Sequence, residues 1–414
     1  MTGNLLSIAD NAVKKGLGLG ADEVEVFLLR GESTEVALEN NDIHIGRTDV
    51  RSGTGIRVFK KKGLGFASTN SVEEKDVTNA IERALQLAGH APPEPWNELP
   101  DRTPLTHVSG LYDPDSEGFD TEDALQMAAE MLNTAKGSDE RITVDSGIFS
   151  AQRGEEAIAN SRGMEAEERS SSFMYYIAGM AIDGIEVSNV DYSLRFTHNV
   201  GKIDVGKVAR EFAQRVTSSL GAKSVESFSG SVILGPDAAK LLLGTVLMHA
   251  VNSDNVQKGM SQFGKKIGEE VCSTNLSVMD DGLLEDGLAT SSFDREGLPH
   301  QRIGLIENGK LKSYIYNTKT AFKDSVKSTG NASGDEKESP GVGATNVVID
   351  GGEQSFEDIV GETKHGLIVR RLSGYPDPLS GDFSAVVKGG FLVKNGDIVQ
   401  PVTDTMISGN VFDL

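Results

Sequence analysis

The chain reads as an α+β protein, with two successive α–antiparallel meander–α units followed by a curled, barrel-like antiparallel sheet that embeds one helix. Three observations predict this. Helical periodicity, a run of strand signals and a second helix occur in that order over 1–90, and again over 120–222. A connector holding half of the 12 prolines separates the two runs. Beyond Ser227 the texture changes to short apolar runs punctuated by glycine, whose frequent turns suit a sheet that curls on itself. At 414 residues the chain also exceeds the size, about 250–300 residues, at which single cores stop growing. The expected divisions are 1–90, 91–119, 120–222 and 223–414.

Taken in order, "MTGNLLSIADNAVKKG" places Leu5, Ile8, Ala9 and Ala12 at three/four spacing and predicts an amphipathic helix. "GLGLGA" (16–21) imitates a dinucleotide fingerprint. That fingerprint needs a strand before it and a helix N-terminus after it; here a helix precedes and a strand follows, which makes the segment a helix C-cap and turn. "ADEVEVFLLR", "STEVALEN" and "SGTGIRVFKKKGLGFAST" are strand signals, with a hairpin turn at "KKKG", and "SVEEKDVTNAIERALQLAG" is the closing helix. The proline-rich connector carries the only tryptophan, Trp96, as a packing point.

The second unit repeats the order. Its helices are "TEDALQMAAEMLNTAKG" and "DVGKVAREFAQRVTSSLGA", and its strands "RITVDSGIFSA", "EEAIANSRG" and "SSSFMYYIAGMAIDG". In the last part, strand signals such as "GSVILGP", "GLIVRRLSG" and "FSAVVKGGFLVKNGDIVQPV" surround one long apolar helix, which Pro236 and Asp237 start.

Charge limits the partners. With 40 Lys+Arg against 62 Asp+Glu the formal net charge is -22, which repels phosphate backbones and anionic lipid. No nucleic-acid or membrane partner is expected. Cys272 is the only cysteine, so no internal disulfide or cysteine-based zinc cluster can form. There is no basic leader, and no apolar run approaches the roughly 18 residues that a span needs. A cytoplasmic chain is the expectation.

Local motifs offer little chemistry. "LLLGTVLMHAVNSDNVQKG" (241–259) has the look of a zinc helix, yet such a site needs two histidines about one turn apart and a carboxylate base. His249 stands alone on a largely apolar helix and reads as a capped or solvated side chain. The acidic stretch 280–297, "DDGLLEDGLATSSFDREG", lacks the ligand spacing of a calcium loop and reads as a solvated loop. The polar stretch 327–346 is too long for a simple turn, and binding or disorder are equal readings of it. No Ser or Cys sits in a nucleophile elbow.

Several longer stretches do carry a resemblance. "GTGIRVFKKKGLGFAST", "DDGLLEDGLATSSFDREGLPHQRIGLIENGKLKSYIYN", "STGNA" with "ATN" after it, and "GLIVRRLSGYPDPLSGDFSAVVKGGFLVKNGDIVQPV" with its "ISGN" tail resemble the TldD/PmbA family, in the family's order and over nearly the whole chain. The resemblance implies an N-terminal α/β part, a strongly bent barrel-like sheet, and assembly as dimers. It also implies a division of labour. TldD-type subunits carry an H-E-x-x-x-H helix and a later cysteine as metal ligands, PmbA (TldE)-type subunits lack them, and the pair acts as a metallopeptidase on unfolded or peptide substrates.

Laid onto this sequence, the ligand positions of that motif fall on Met248 and Ser253 and the base position on His249. Neither a thioether nor a hydroxyl is a competent zinc ligand at neutral pH. The cysteine-bearing segment that the resemblance implies lies beyond "ISGNVFDL", and Cys272 is far from it. The expectation is therefore a subunit with no catalytic or metal residues of its own, paired with a TldD-type subunit that holds zinc or a similar divalent metal, and able to form a homodimer in isolation. Thr329, Gly330, Asn331, Gly381, Asp382 and Phe383 are the candidates for contacting an extended peptide. Two other readings compete: an autonomous metallopeptidase with an unconventional site around His249, and a protein-binding modulator of DNA gyrase.

Overall fold

The computed structural model describes residues 4–414, so the reading of Met1–Gly3 as part of a leader-free start lies outside the described residues. The first 200 or so residues build one sheet. After α1 (Leu5–Gly18) come β1 (Glu23–Glu39), β2 (Asp42–Lys60), β3 (Gly63–Thr69) and α2 (Glu74–His90). The second run is α3 (Thr121–Ser138), β4 (Ile142–Asn160), β5 (Glu165–Asp183), β6 (Glu186–Val187), β7 (Asp191–Thr197) and α4 (Val205–Thr217). The strands join in the order β3-β2-β1-β4-β5, with β6 and β7 both on β5, so the two units share one continuous antiparallel sheet.

The strands are longer than the sequence suggested. "ADEVEVFLLR" and "STEVALEN" form a single strand of 17 residues, and β4 and β5 run to 19 residues each. The reason is that polar residues in mid-strand, read as breaks, are only half-buried and pair on both sides without interruption. The "KKKG" turn forms as expected, with Lys61 and Lys62 at φ 49 and 64, the paired left-handed geometry of a two-residue hairpin. Asn4 caps α1 through Ser7 N, and Gly20 at φ 95 turns the chain out of that helix.

Side chains alternate across the sheet. Val24, Val26, Leu28, Ile56 and Val58 pack with α1 and α2, while Val36, Leu38, Phe149, Phe173 and Tyr175 pack with α3 and α4. All four helices thus lie on one face. The opposite face carries Glu25, Phe27, Leu29 and Gly31 of β1, Glu156 and Gly154 of β4, and Glu168 and Ser170 of β5, and it turns toward the C-terminal part.

The C-terminal part begins with β8 (Ser231–Leu234), followed by a helix whose first turns are α5 (Pro236–Ala239), a wider π-helical turn at 240–244, and α6 (Thr245–Val251). Then come α7 (Ser253–Gln257), β9 (Val278–Asp281), β10 (Arg302–Glu307), β11 (Lys310–Leu311), α8 (Thr318–Asp324), β12 (Ala332–Ser333), β13 (Gly341–Val342), β14 (Val347–Ile349), α9 (Phe356–Glu362), β15 (His365–Ser373), β16 (Asp382–Lys394), β17 (Asp397–Val402) and β18 (Met406–Asn410). One sheet runs β17-β16-β15-β8, and β18 also pairs β16. β16 bends at Gly389, φ 63, so that β18 and β17 follow one another along the same edge.

The result is a curled half-barrel that wraps Ala238, Leu242 and Val246 of the embedded helix against Leu367, Val369, Phe383, Ala385 and Val387. Two details differ from expectation. β8 joins β15 in parallel rather than antiparallel, because the chain returns to it only after a long crossover, residues 235–364, that holds the embedded helix and β9 to β14. The embedded helix is also joined by α7, α8 and α9, each only 5–7 residues long and too short for periodicity to reveal. Among the described residues no helix is long and apolar enough to cross a membrane.

Candidate functional site

Two places can be examined chemically: the helix where the resemblance expects a metal, and the helix-free face of the large sheet. At the first, Met248 is partly buried in the core around Leu247, Phe263 and Tyr314. His249 Nε2 lies 2.8 Å from the Met260 carbonyl, and its Nδ1 lies 3.1 Å from Asn255 Nδ2. The tautomer protonated at Nε2 satisfies both contacts, which commits the ring's single lone pair to Asn255. Ser253 is 0% exposed and donates to the Thr320 hydroxyl at 2.8 Å. A thioether in a core, an imidazole with both nitrogens engaged and a buried hydroxyl do not fit a zinc ion. Among the described residues no group of three or more His, Cys, Asp or Glu is placed to hold a metal.

The peptide-contact candidates fall into two separate places. Thr329 Oγ1 donates to Asn331 Oδ1 at 2.6 Å, and Asn331, 1% exposed, donates to Asp280 Oδ2 at 2.6 Å and to the Gly343 carbonyl at 3.0 Å. The Gly330 carbonyl receives His300 Nδ1 at 2.6 Å. Asp280 gathers Thr345 N and Oγ1 as well; burial pushes its carboxyl up and these donors pull it back. The 329–331 stretch therefore spends its polar groups inside the fold. Gly381, Asp382 and Phe383 lie at the start of β16, where Asp382 accepts from Asn410 and Phe383 enters the half-barrel core.

The stretch 280–297 is not a solvated loop. Asp280, Asp281, Asp294, Arg295 and Glu296 are all buried: Asp280 takes Asn331 and Thr345, Asp281 takes Arg302, Asp294 takes backbone N–H groups, and Arg295 and Glu296 meet charged partners on the helix-free face of the sheet. Glu296, 0% exposed, accepts Arg57 Nη1 at 2.8 Å and Thr318 N at 2.8 Å, and Arg57 Nη2 donates to Glu25 at 2.5 Å. Burial alone would lower the Arg57 guanidinium, but Glu25 and Glu296 hold it above its ordinary value. Nor is 327–346 disordered: Glu336 sits directly on Gly53 and Gly55, where a Cβ would come within 2.4 and 2.7 Å of it, and it takes Arg51 at 2.6 Å.

Between these segments and the sheet lies a cleft made of two adjoining cavities of about 570 and 370 Å³ that share Gln152, Glu156, Ser170 and Ser172. Gly31 and Gly154, directly opposite one another, supply the floor of the smaller one, where missing side chains leave the trough open. In the larger, Glu156 and Glu168 are cross-strand partners. Burial, and then the like charge of Glu168, push the Glu156 carboxyl up to about 7. Asp294 is raised to about 8 by burial and Glu296, although the N–H groups of Ala332, Glu296 and Leu298 oppose the shift.

Family models cover most of the chain. Residues 24–88 match PmbA/TldA metallopeptidase domain 1, 114–220 the central domain and 228–414 the C-terminal domain of the same metallopeptidase. The chain belongs to the TldD/PmbA family. An uncharacterised protein of Methanocaldococcus jannaschii is 30% identical over 95% of this chain and 89% of its own length. In Buchnera aphidicola, proteins named metalloprotease TldD homolog and metalloprotease PmbA homolog are each 25% identical, covering 90% and 99% of this chain and 79% and 90% of theirs. The crystal structure of TldE from Thermococcus kodakarensis superposes with TM-score 0.91 at 25% identity, covering 98% of this chain and 92% of the other.

The cleft's carboxylates escaped sequence reasoning, though a signal for them exists. Counting outward from the tight turn after Asn160 pairs Ala159 with Glu165 and so brings Glu156 opposite Glu168. Starting the next strand at Ser170, as the sequence reading did, hides that pair.

Proposed function

We propose that this chain is the non-metal subunit of a TldD/TldE-type metallopeptidase that degrades unfolded proteins or peptides, completing the peptide chamber while a TldD-type partner holds zinc or a similar divalent metal. The observation that carries this reading is the set Met248, His249 and Ser253, whose polar atoms are committed to Met260, Asn255 and Thr320. The family's metalloprotease names support a peptidase role, and the occurrence of TldD- and PmbA-named relatives in one organism suits a pairing.

Metal analysis of the purified chain tests the reading against an autonomous peptidase. The expected result is well under one divalent ion per chain and no chelator-sensitive peptide cleavage. One ion per chain, lost in His249→Ala together with cleavage, would overturn it.

A further inference from the structure

β2 has a strand on each side over only part of its length, because β3 pairs with it from Thr54 to Lys60 and no further. Residues 45–53 pair with β1 alone, and among the described residues no other backbone group bonds to them. This stretch is open to solvent: Val50 is 77% exposed and Ile45 50%, and Arg47, Thr48, Asp49 and Arg51 are exposed with them. The direction of its backbone groups follows from the hairpin. Lys60 and Gly63 close the two-residue turn at Lys61 and Lys62, so the N–H and C=O of Lys60 face β3, as do those of Val58, Ile56 and Thr54. By the same alternation Val50, Thr48 and Gly46 present theirs to the open edge, where no strand receives them. Such an edge is a template for a further strand.

The side chains say which strand fits. Gly46, Thr48 and Val50 lie on the helix-bearing face, where the Thr48 hydroxyl is 3.3 Å from that of Thr121 on α3 and a Cβ on Gly46 would lie 3.9 Å from Leu125. Ile45, Arg47, Asp49 and Arg51 lie on the other face, and Asp49 and Arg51 line the smaller cavity of the cleft. Laid antiparallel against a second copy about a two-fold axis at Thr48, the stretch is complementary to itself. Arg47 falls opposite the second copy's Asp49, and Asp49 opposite its Arg47. Val50 falls opposite Gly46, whose missing side chain leaves room for it beside Leu125, itself 42% exposed. Moving the axis to Arg47 or to Asp49 instead sets like charges opposite one another, which is destabilising.

We propose that residues 45–51 of β2 are the surface on which two copies of this chain join, edge to edge and antiparallel, with an Arg47–Asp49 pair on either side of the axis. The register shift at His44 ends the match at Ile45. Within its own chain Arg47 reaches Glu35 at 3.2 Å and Asp49 at 3.4 Å, exposed contacts of small worth that leave the guanidinium able to turn to the second copy. Because Asp49 and Arg51 line the smaller cavity, the join brings the two clefts side by side. The inference rests on the open edge and not on the reading of the chain as a peptidase subunit.

Sedimentation equilibrium of the full chain, alone in solution, is the test. The wild-type chain is expected at twice its own mass at about 10 μM, a concentration suited to a micromolar dissociation constant. Asp49→Arg sets a second guanidinium opposite Arg47, Arg47→Asp sets a second carboxylate opposite Asp49, and each variant by itself dimerises at least about ten-fold more weakly. Both positions are exposed, and circular dichroism confirms that the variants fold. An equimolar mixture of the two variants recovers opposite charges at both pairs and returns the dimer to within about three-fold of the wild-type affinity. A wild-type chain that stays monomeric, including one that pairs only with a TldD-type chain, would overturn the proposal, as would variants that dimerise like the wild type or a mixture that does not recover. Since no second protein enters the test, its failure is distinguishable from failure of the pairing with a TldD-type chain.

Discussion

At Glu156 the sheet sets one carboxyl directly opposite another, an arrangement that costs stability. The folded-state value near 7 lies above the value in an unfolded chain, so the native state binds the extra proton. The cost is absent below about pH 4.5, grows as pH rises to about 7 and then levels off. Glu156→Gln, which mimics the protonated form, is expected to stabilise the chain at pH 8 by about 2 kcal/mol, discounted for the carboxyl's opening to the cleft. Denaturant melts at pH 8 and pH 4.5 check this, with the gain confined to the higher pH. Sequence reasoning missed Glu156, because its meaning lies in a partner 12 positions away across a hairpin and starting the second strand at Ser170 hid that partner.

At the scale of elements, the segment 280–297 fastens the C-terminal part to the sheet through Arg57, Glu25 and Glu296. Removing Arg57 leaves buried Glu296 with only the Thr318 N–H and buried Glu25 with only Arg295 at 3.4 Å. Arg57→Met is expected to cost about 3–5 kcal/mol, read by urea unfolding. If the loss were under about 1 kcal/mol, the network would not be the fastening described. This segment also shows where the sequence was opaque. Its acidic and glycine-rich composition, "DDGLLEDGLATSSFDREG", is that of a solvated loop, and only partners distant in sequence, Arg57 for Glu296, Arg302 for Asp281 and Asn331 for Asp280, make its burial possible. The helices and the "KKKG" hairpin were legible because their signals are local: three/four spacing in α1, and two residues that adopt positive φ at Lys61 and Lys62. Strand ends and the short helices α7 to α9 depend on tertiary partners and were not.

For the whole molecule, one continuous sheet with four helices on one face and a half-barrel set over the other leaves a cleft between them, and on the embedded helix the polar atoms of His249 and Ser253 are engaged within the fold. The resemblance singled out Met248, His249 and Ser253 from the sequence alone; the engagement of His249 and Ser253 with Met260, Asn255 and Thr320 depends on segments distant from that motif and was not legible. The central claim is that this chain works by completing a chamber whose metal another subunit holds. It is tested most directly by co-expressing it with the TldD-type chain of its own genome and assaying the purified mixture on an unfolded protein substrate. The account predicts a stable heterodimer that cleaves in a chelator-sensitive manner, at least about ten-fold faster than the TldD-type chain alone, a gain on the scale of substrate positioning. A mixture that stays as separate chains and cleaves no faster than the TldD-type chain alone would contradict it.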